Sequence, residues 1–186
     1  MTADEAVVAV IDALEAASIP YMIVGSLASN VHGIPRSTRD ADLVVEADSS
    51  GWDRLGRALP AGLRLHPQGS FEAVTGTIRY LIELSASPFV CELFALGDDP
   101  HDRERFRRRQ QVRVLGRAAS VASVEDMIVT KLRWAVEARR AKDRDDVRNM
   151  VAVRGDRLDW SYIRQWCTVH RTLDQLEAIR STIPPA

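Results

Sequence analysis

Val24-Gly-Ser-Leu-Ala-Ser-Asn-Val-His-Gly-Ile-Pro-Arg-Ser-Thr-Arg-Asp-Ala-Asp-Leu43 decides how this chain is read. It grows out of Tyr21-Met-Ile-Val24, a short apolar run suited to a buried strand and halted by Gly25. Ser26 to His32 then suit a helix, which Gly33-Ile-Pro35 breaks. A strand, a glycine turn and a helix start place free backbone N–H groups and the positive end of a dipole at Gly25 and Ser26, where a phosphate can settle. Thirteen residues separate Ser26 from Asp40, enough for the helix and a return loop, so the next strand can run beside the first. Asp40 and Asp42 lie two apart on that strand and therefore share a face. Paired carboxylates beside an anion site make chemical sense if a divalent metal lies between them and the phosphate. The plainer alternative is a turn, an N-cap and two aspartates that keep a strand end solvated.

Working outward, Ala6, Val7, Val10, Ile11 and Leu14 form the apolar stripe of a helix over residues 3–17, closed before Pro20. Residues 52–59 read as a short helix opened by Ser49, Ser50 or Asp53. Ile78 to Leu84 and Phe89 to Phe94 read as a hairpin, with Glu92 on its second strand and Glu83 on its first. Val112 to Leu115 and Ala118 to Ala122 make two more short strands around Gly116. From Ser123 the pattern is helical alone: Ser123 and Asp126 resemble a capping box, and further helices begin near Val147, Trp160 and Leu173. The expected division is a core of residues 1–118 and a helical region of residues 119–186.

The 186 residues include 46% apolar and 27% charged side chains, so the chain can build a core and is neither disordered nor collagen-like. Its net charge of -1 means that any nucleic-acid contact must come from a local patch. Arg103, Arg105, Arg107, Arg108, Arg109 and Arg113 are the candidate strip, with a solvated helix face as the alternative. Cys91 and Cys167 stand far apart in apolar surroundings, without zinc spacing, and the four histidines show none either. The acidic start and the lack of a long apolar run point to a cytoplasmic protein without a membrane partner. Trp134 and Trp160 fall at helical positions that suit core packing. Lys142, Asp143, Asp145 and Asp146 suit a helix start with i,i+4 pairing.

Gly25-Ser26, Asp40-x-Asp42 and an acidic residue on a later strand together resemble the signature of the polymerase-beta-like nucleotidyltransferase superfamily. Arg36-x-Thr38-x-Asp40-x-Asp42-Leu43, with Lys131-Leu-Arg and Arg140 to Asp146, is similar to its minimal bacterial branch, which includes toxin components of toxin–antitoxin and phage-abortive systems. That resemblance implies an α/β (α+β) fold, a mixed sheet flanked by helices with a C-terminal helical region completing the cleft. It implies transfer of a nucleoside monophosphate from a nucleoside triphosphate such as ATP to an acceptor hydroxyl on RNA, a tRNA 3′ end or a protein, with release of pyrophosphate. Asp40, Asp42 and Glu92 would be the catalytic residues and hold two magnesium ions, Glu83 being the rival for the third place. Gly25, Ser26, Arg39 and Lys131 would contact the nucleotide, and an antitoxin would be a partner. Family members usually carry aspartate where this chain has Glu92. A silent nucleotide- or RNA-binding module of the same fold is the alternative.

Overall fold

A computed structural model describes residues 1–73, 76–137 and 140–183. Helix α1 (Ala3–Ala16) starts at Thr2, whose hydroxyl accepts from Glu5 N–H while the Glu5 carboxylate accepts from Thr2 N–H, a complete capping box. Strand β1 (Tyr21–Ile23) leads into helix α2 (Gly25–His32), and strand β2 (Asp40–Val45) returns antiparallel to β1, with Ile23 opposite Leu43. Helix α3 (Ser49–Ala58) follows. Its N-cap is Asp48, which accepts from Gly51 N–H, and not Ser49, Ser50 or Asp53: the carboxylate one residue upstream reaches the first free N–H groups.

Strands β3 (Leu63–Leu65) and β4 (Ser70–Glu72) both pair with β5 (Thr77–Leu84). Each has only three residues, too few to show an alternating pattern, so the sequence reading missed them. Strands β5 and β6 (Val90–Ala95) form the expected hairpin. Helix α4 (Pro100–Arg107), capped by Asp99 with proline in its first turn, carries the start of the arginine-rich segment. Strands β7 (Gln110–Val114) and β8 (Arg117–Val121) turn through Gly116, and helices α5 (Val124–Glu137), α6 (Ala141–Arg154), α7 (Trp160–Val169) and α8 (Leu173–Arg180) complete the chain.

The strands form one mixed sheet in the order β3-β5-β6-β2-β1-β8-β7, with β4 on β5. Two pairings are parallel, β2 with β6 and β1 with β8, and both need crossover connections that place helices on the sheet. The fold is therefore a mixed α/β sheet flanked by eight helices among the described residues. Val10, Ile11 and Leu14 of α1 join Met22, Ile23, Leu43, Leu93, Ile128, Leu132, Met150 and Ile163 in one continuous core. Strand β8, residues 117–121, lies beside β1 and spans the division expected at residue 118. No described helix is long and apolar enough to cross a membrane. Cys91 and Cys167 are buried free thiols, and burial pushes the Cys91 thiol up to about 12, far from reactive thiolate.

Candidate active site

The site begins at the end of β1. Val24 N–H donates to Asp42 C=O at 2.9 Å, which docks the turn against β2. Gly25 then takes φ +62°, a conformation that favours glycine, and a Cβ there would collide with the Asp42 carboxylate. This glycine does two jobs: it turns the chain and lets a carboxylate abut the start of α2. The α2 N-cap, Val24, makes no side-chain capping bond, so the first N–H groups keep their capacity for an anion.

On β2, Ala41 and Leu43 point into the core while Asp40 and Asp42 remain partly exposed on the opposite face. The parallel register sets Asp42 directly opposite Glu92 of β6, and Asp40 opposite Val90. Asp40, Asp42 and Glu92 thus occupy one face of two neighbouring strands. Glu83 is elsewhere: it pairs with Arg64 at 2.8 Å near the sheet edge, well exposed and outside the cleft lining. Thr38 steadies Asp40 by donating to Oδ1 at 2.7 Å.

These carboxylates open on a cavity of about 280 Å³. Its far wall is helical, with Met127, Thr130, Lys131 and Trp134 of α5, spaced i, i+3, i+4, i+7, and Asp143 of α6. Asp42 sits in that cavity with its pKa pushed up to about 7 by burial and by the charges of Asp40 and Glu92, which Lys131 and Arg140 only partly offset. Uncompensated negative charge among hard oxygen donors fits a divalent cation held by Asp40 and Asp42. Glu92 is engaged by Arg79, whose Nη1 reaches both carboxylate oxygens at 3.3 Å. No group of three His, Cys, Asp or Glu side chains among the described residues is gathered so as to hold a metal ion.

Of the residues assigned to the nucleotide, Gly25, Ser26 and Lys131 line the cavity, whereas Arg39 is exposed outside it. Lys131 is not a free point charge. Buried in α5, it pairs with both Asp143 and Asp146 at 2.8 Å. These two aspartates face inward three residues apart on α6, while Lys142 and Asp145 face solvent. The run does start a helix, as expected, but in place of i,i+4 pairing Asp143 and Asp146 form a buried clamp on Lys131 and Arg36 from other parts of the chain. Arg36 forks onto Asp146 at 2.9 and 3.0 Å and donates to the Ser26 hydroxyl at 3.0 Å. Burial alone would raise the Asp146 pKa, but hydrogen bonds from Arg36 and Lys131 outweigh it and hold the carboxyl below its ordinary value.

Arg79 had no assigned role in the sequence reading, where Arg36 stood only in a motif and Asp143 and Asp146 only at a helix start. Arg79 could have been found from the hairpin register, which sets it opposite Phe94 and on the face of Glu92. The Arg36–Asp146 pair, 110 residues apart, left no local signal. Trp134 is another correction. It lines the cleft, whereas Trp52, Trp160 and Trp166 pack against the core.

The sequence matches no family model and no curated protein. The fold is nonetheless shared with solved structures. The solution structure of the antibiotic-resistance factor ANT(2'')-Ia superposes with a TM-score of 0.63 at 15% identity, covering 96% of this chain and 95% of that one. The chain has a nucleotidyltransferase fold. The crystal structure of ANT(2'')-Ia with adenylyl-2''-tobramycin gives a TM-score of 0.62 at 16% identity, covering 92% and 98% of the two chains. An antigenic nucleotidyltransferase-like protein from Paracoccidioides brasiliensis gives 0.54 at 18% identity, covering 98% and 94%. In this nucleotidyltransferase fold the three carboxylates sit on the central strands and the helical clamp sits across the cleft from them.

Proposed function

We propose that the protein is a metal-dependent nucleotidyltransferase that moves a nucleoside monophosphate from a nucleoside triphosphate to an acceptor hydroxyl and releases pyrophosphate. The observation that carries this reading is the register of β2 and β6, which sets Asp42 opposite Glu92 on one face beside the uncapped start of α2. Asp40 and Asp42 would hold the magnesium, with Glu92 joining once Arg79 lets it turn. A divalent cation bound there supplies Lewis-acid polarisation of the α-phosphoryl group and offsets its developing charge. The chain's own residues do the positioning. The N–H groups at Gly25 and Ser26 receive phosphate oxygens, Arg36 orients the Ser26 hydroxyl, and Glu92 accepts the proton of the attacking hydroxyl.

The sequence motifs favour RNA, a tRNA 3′ end or a protein as acceptor. A toxin role with an antitoxin partner rests on that motif resemblance alone. A small hydroxyl-bearing acceptor is a second reading, favoured by one observation: the match to the chain crystallised with adenylyl-2''-tobramycin covers 98% of that chain, so a fold of this size needs no second domain. The test is incubation with each labelled triphosphate, magnesium and, separately, total RNA, cell protein or aminoglycosides. Label should pass to one acceptor class in the native protein and to none in Asp42→Asn. Equal labelling by both proteins would end the proposal.

A further inference from the structure

We infer that Trp134 is the shelf on which the base of the incoming nucleotide stacks, an inference that rests on the nucleotide-transfer reading of the same cleft. Three of the four tryptophans have structural work to do. Trp52 lies against Tyr80 with ring centroids 4.1 Å apart, Trp166 against His101 at 4.6 Å, and Trp160 lies under Arg180 at 4.0 Å; all three also pack on the core. Among the described residues Trp134 has no such place. It is half-buried, and its surroundings are the cavity that holds the carboxylates.

A half-buried indole facing a polar cleft leaves apolar area in water unless a ligand covers it. The guanidinium of Arg140 stands 5.2 Å from the ring centroid, whereas Arg108 sits 3.9 Å over Tyr162 and Arg180 4.0 Å over Trp160. The indole is thus accompanied by a cation but not sealed by it. Its position along α5 matters as well. Lys131 and Trp134 are three residues apart on the cleft face, so the ring lies about one helical turn, about 4.5 Å along the axis, beyond the cation. The phosphate-binding features, the uncapped start of α2 and the Ser26 hydroxyl with its partner Arg36, lie at the Lys131 end, since Arg36 and Lys131 share Asp146. A triphosphate anchored there has its base on the Trp134 side. Stacking accepts any base because every base has a π-face, so Trp134 supplies affinity with little choice among the four triphosphates.

The test compares a ligand with a base and one without. Titration calorimetry with magnesium measures ATP and inorganic tripolyphosphate on the native protein, Trp134→Ala and Trp134→Phe. Trp134→Ala should weaken ATP by about 5- to 100-fold, the effect of losing one base stack, and leave tripolyphosphate within about 2-fold. ATP should quench indole fluorescence in the native protein, and Trp134→Phe should retain most ATP affinity and abolish that quenching, which keeps the question answerable if the alanine variant folds poorly. Unchanged ATP affinity and unchanged quenching in the variants overturn the inference, and so does equal weakening of both ligands, which would make Trp134 structural. A raised KM for the acceptor with unaltered ATP binding also overturns it. Native protein that binds no triphosphate at all would instead remove the nucleotide-transfer reading on which the inference stands.

Discussion

The two walls of the cleft each carry carboxylates, and they are treated in opposite ways. On the sheet wall, Asp40, Asp42 and Glu92 share one face, Arg79 pairs with Glu92 alone of the three, and Asp42 rises to about 7. On the helix wall, Asp143 and Asp146 are at least as buried, yet Lys131, Arg36 and Arg140 surround them and Asp146 is held below its ordinary value. The same chemical group therefore serves two ends. Where cations from the chain saturate it, the carboxylate ties α2, α5 and α6 together. Where the chain leaves it short of positive charge, the carboxylate has a raised pKa, and on the proposed reading that is where a cation from outside would bind.

The largest expected effect is on the sheet wall. Asp42→Asn should lower nucleotide transfer by about 1,000-fold, in the range lost when a charge-stabilising group is removed from a reaction centre, and it should not lower stability. The pKa shift makes this sharper. Because the folded-state value lies above the unfolded one, the native fold binds the proton more tightly, and its stability falls as pH rises from about 4 to about 7. In chelator, Asp42→Asn should therefore melt higher than the native protein at pH 8, with the gap closing towards pH 4. Magnesium should raise the melting temperature of the native protein at pH 8 and leave Asp42→Asn unmoved. A variant that melts lower than native protein at pH 8 would break the contrast between the walls.

The helix wall should answer in the other currency, stability. Lys131→Met leaves Asp143 and Asp146 buried without their cation and should cost about 3 kcal/mol in denaturant unfolding. Adding Asp143→Asn should recover part of that loss. Arg36→Lys exchanges a forked guanidinium for a single ammonium and should cost about 1 kcal/mol. It should also raise the KM for the triphosphate through the unheld Ser26 hydroxyl, with a smaller effect on kcat. If Lys131→Met weakens triphosphate binding without loss of stability, the lysine is a ligand-binding charge and the clamp is incidental.

The two walls also differ in how much of them the sequence disclosed. Asp40 and Asp42 are two residues apart on one strand, and the glycine turn that serves them is 15 residues upstream of Asp40, so local periodicity sufficed to bring them together. Glu92 was preferred over Glu83 for its flanking apolar residues; the structure sets Glu92 opposite Asp42 and leaves Glu83 paired with Arg64 towards the sheet edge. Lys131 was singled out, but its partners were not. A run such as Lys142 to Asp146 satisfies helix-surface spacing equally well whether it faces water or a buried lysine, and only the packing of α6 on α5 decides. Trp134 was misread for the same reason: helical spacing says which residues share a face, not whether that face meets core or cleft. The short strands β3 and β4 depend on β5 for their pairing and leave almost no pattern of their own.

The smallest expected effect concerns the arginine-rich segment, which resembles the helix wall in its electrostatics. Arg103 pairs with Glu46 and Asp98, Arg105 with Asp102, Arg107 with Glu104, and Arg108 lies on Tyr162 beside Asp126. Arg109 folds back on Phe106, and Arg113 belongs to β7. Six arginines that read as one strip are thus divided among separate partners on a helix, a turn and a strand, and each ion pair reduces the field available to a polyanion. Arg103→Gln with Arg107→Gln removes the two most exposed of the paired guanidiniums without touching the buried Arg105. Stability should change by no more than about 1 kcal/mol, as for exposed ion pairs. If RNA is the acceptor, the salt dependence of its binding should flatten by less than about 0.7, the slope expected for one lost single-strand phosphate contact. A flattening of about 1.4, two contacts, would mean that both arginines leave their acids for phosphate. The segment would then belong with the sheet wall, as charge kept for a ligand, and not with the helix wall, as charge spent on the fold.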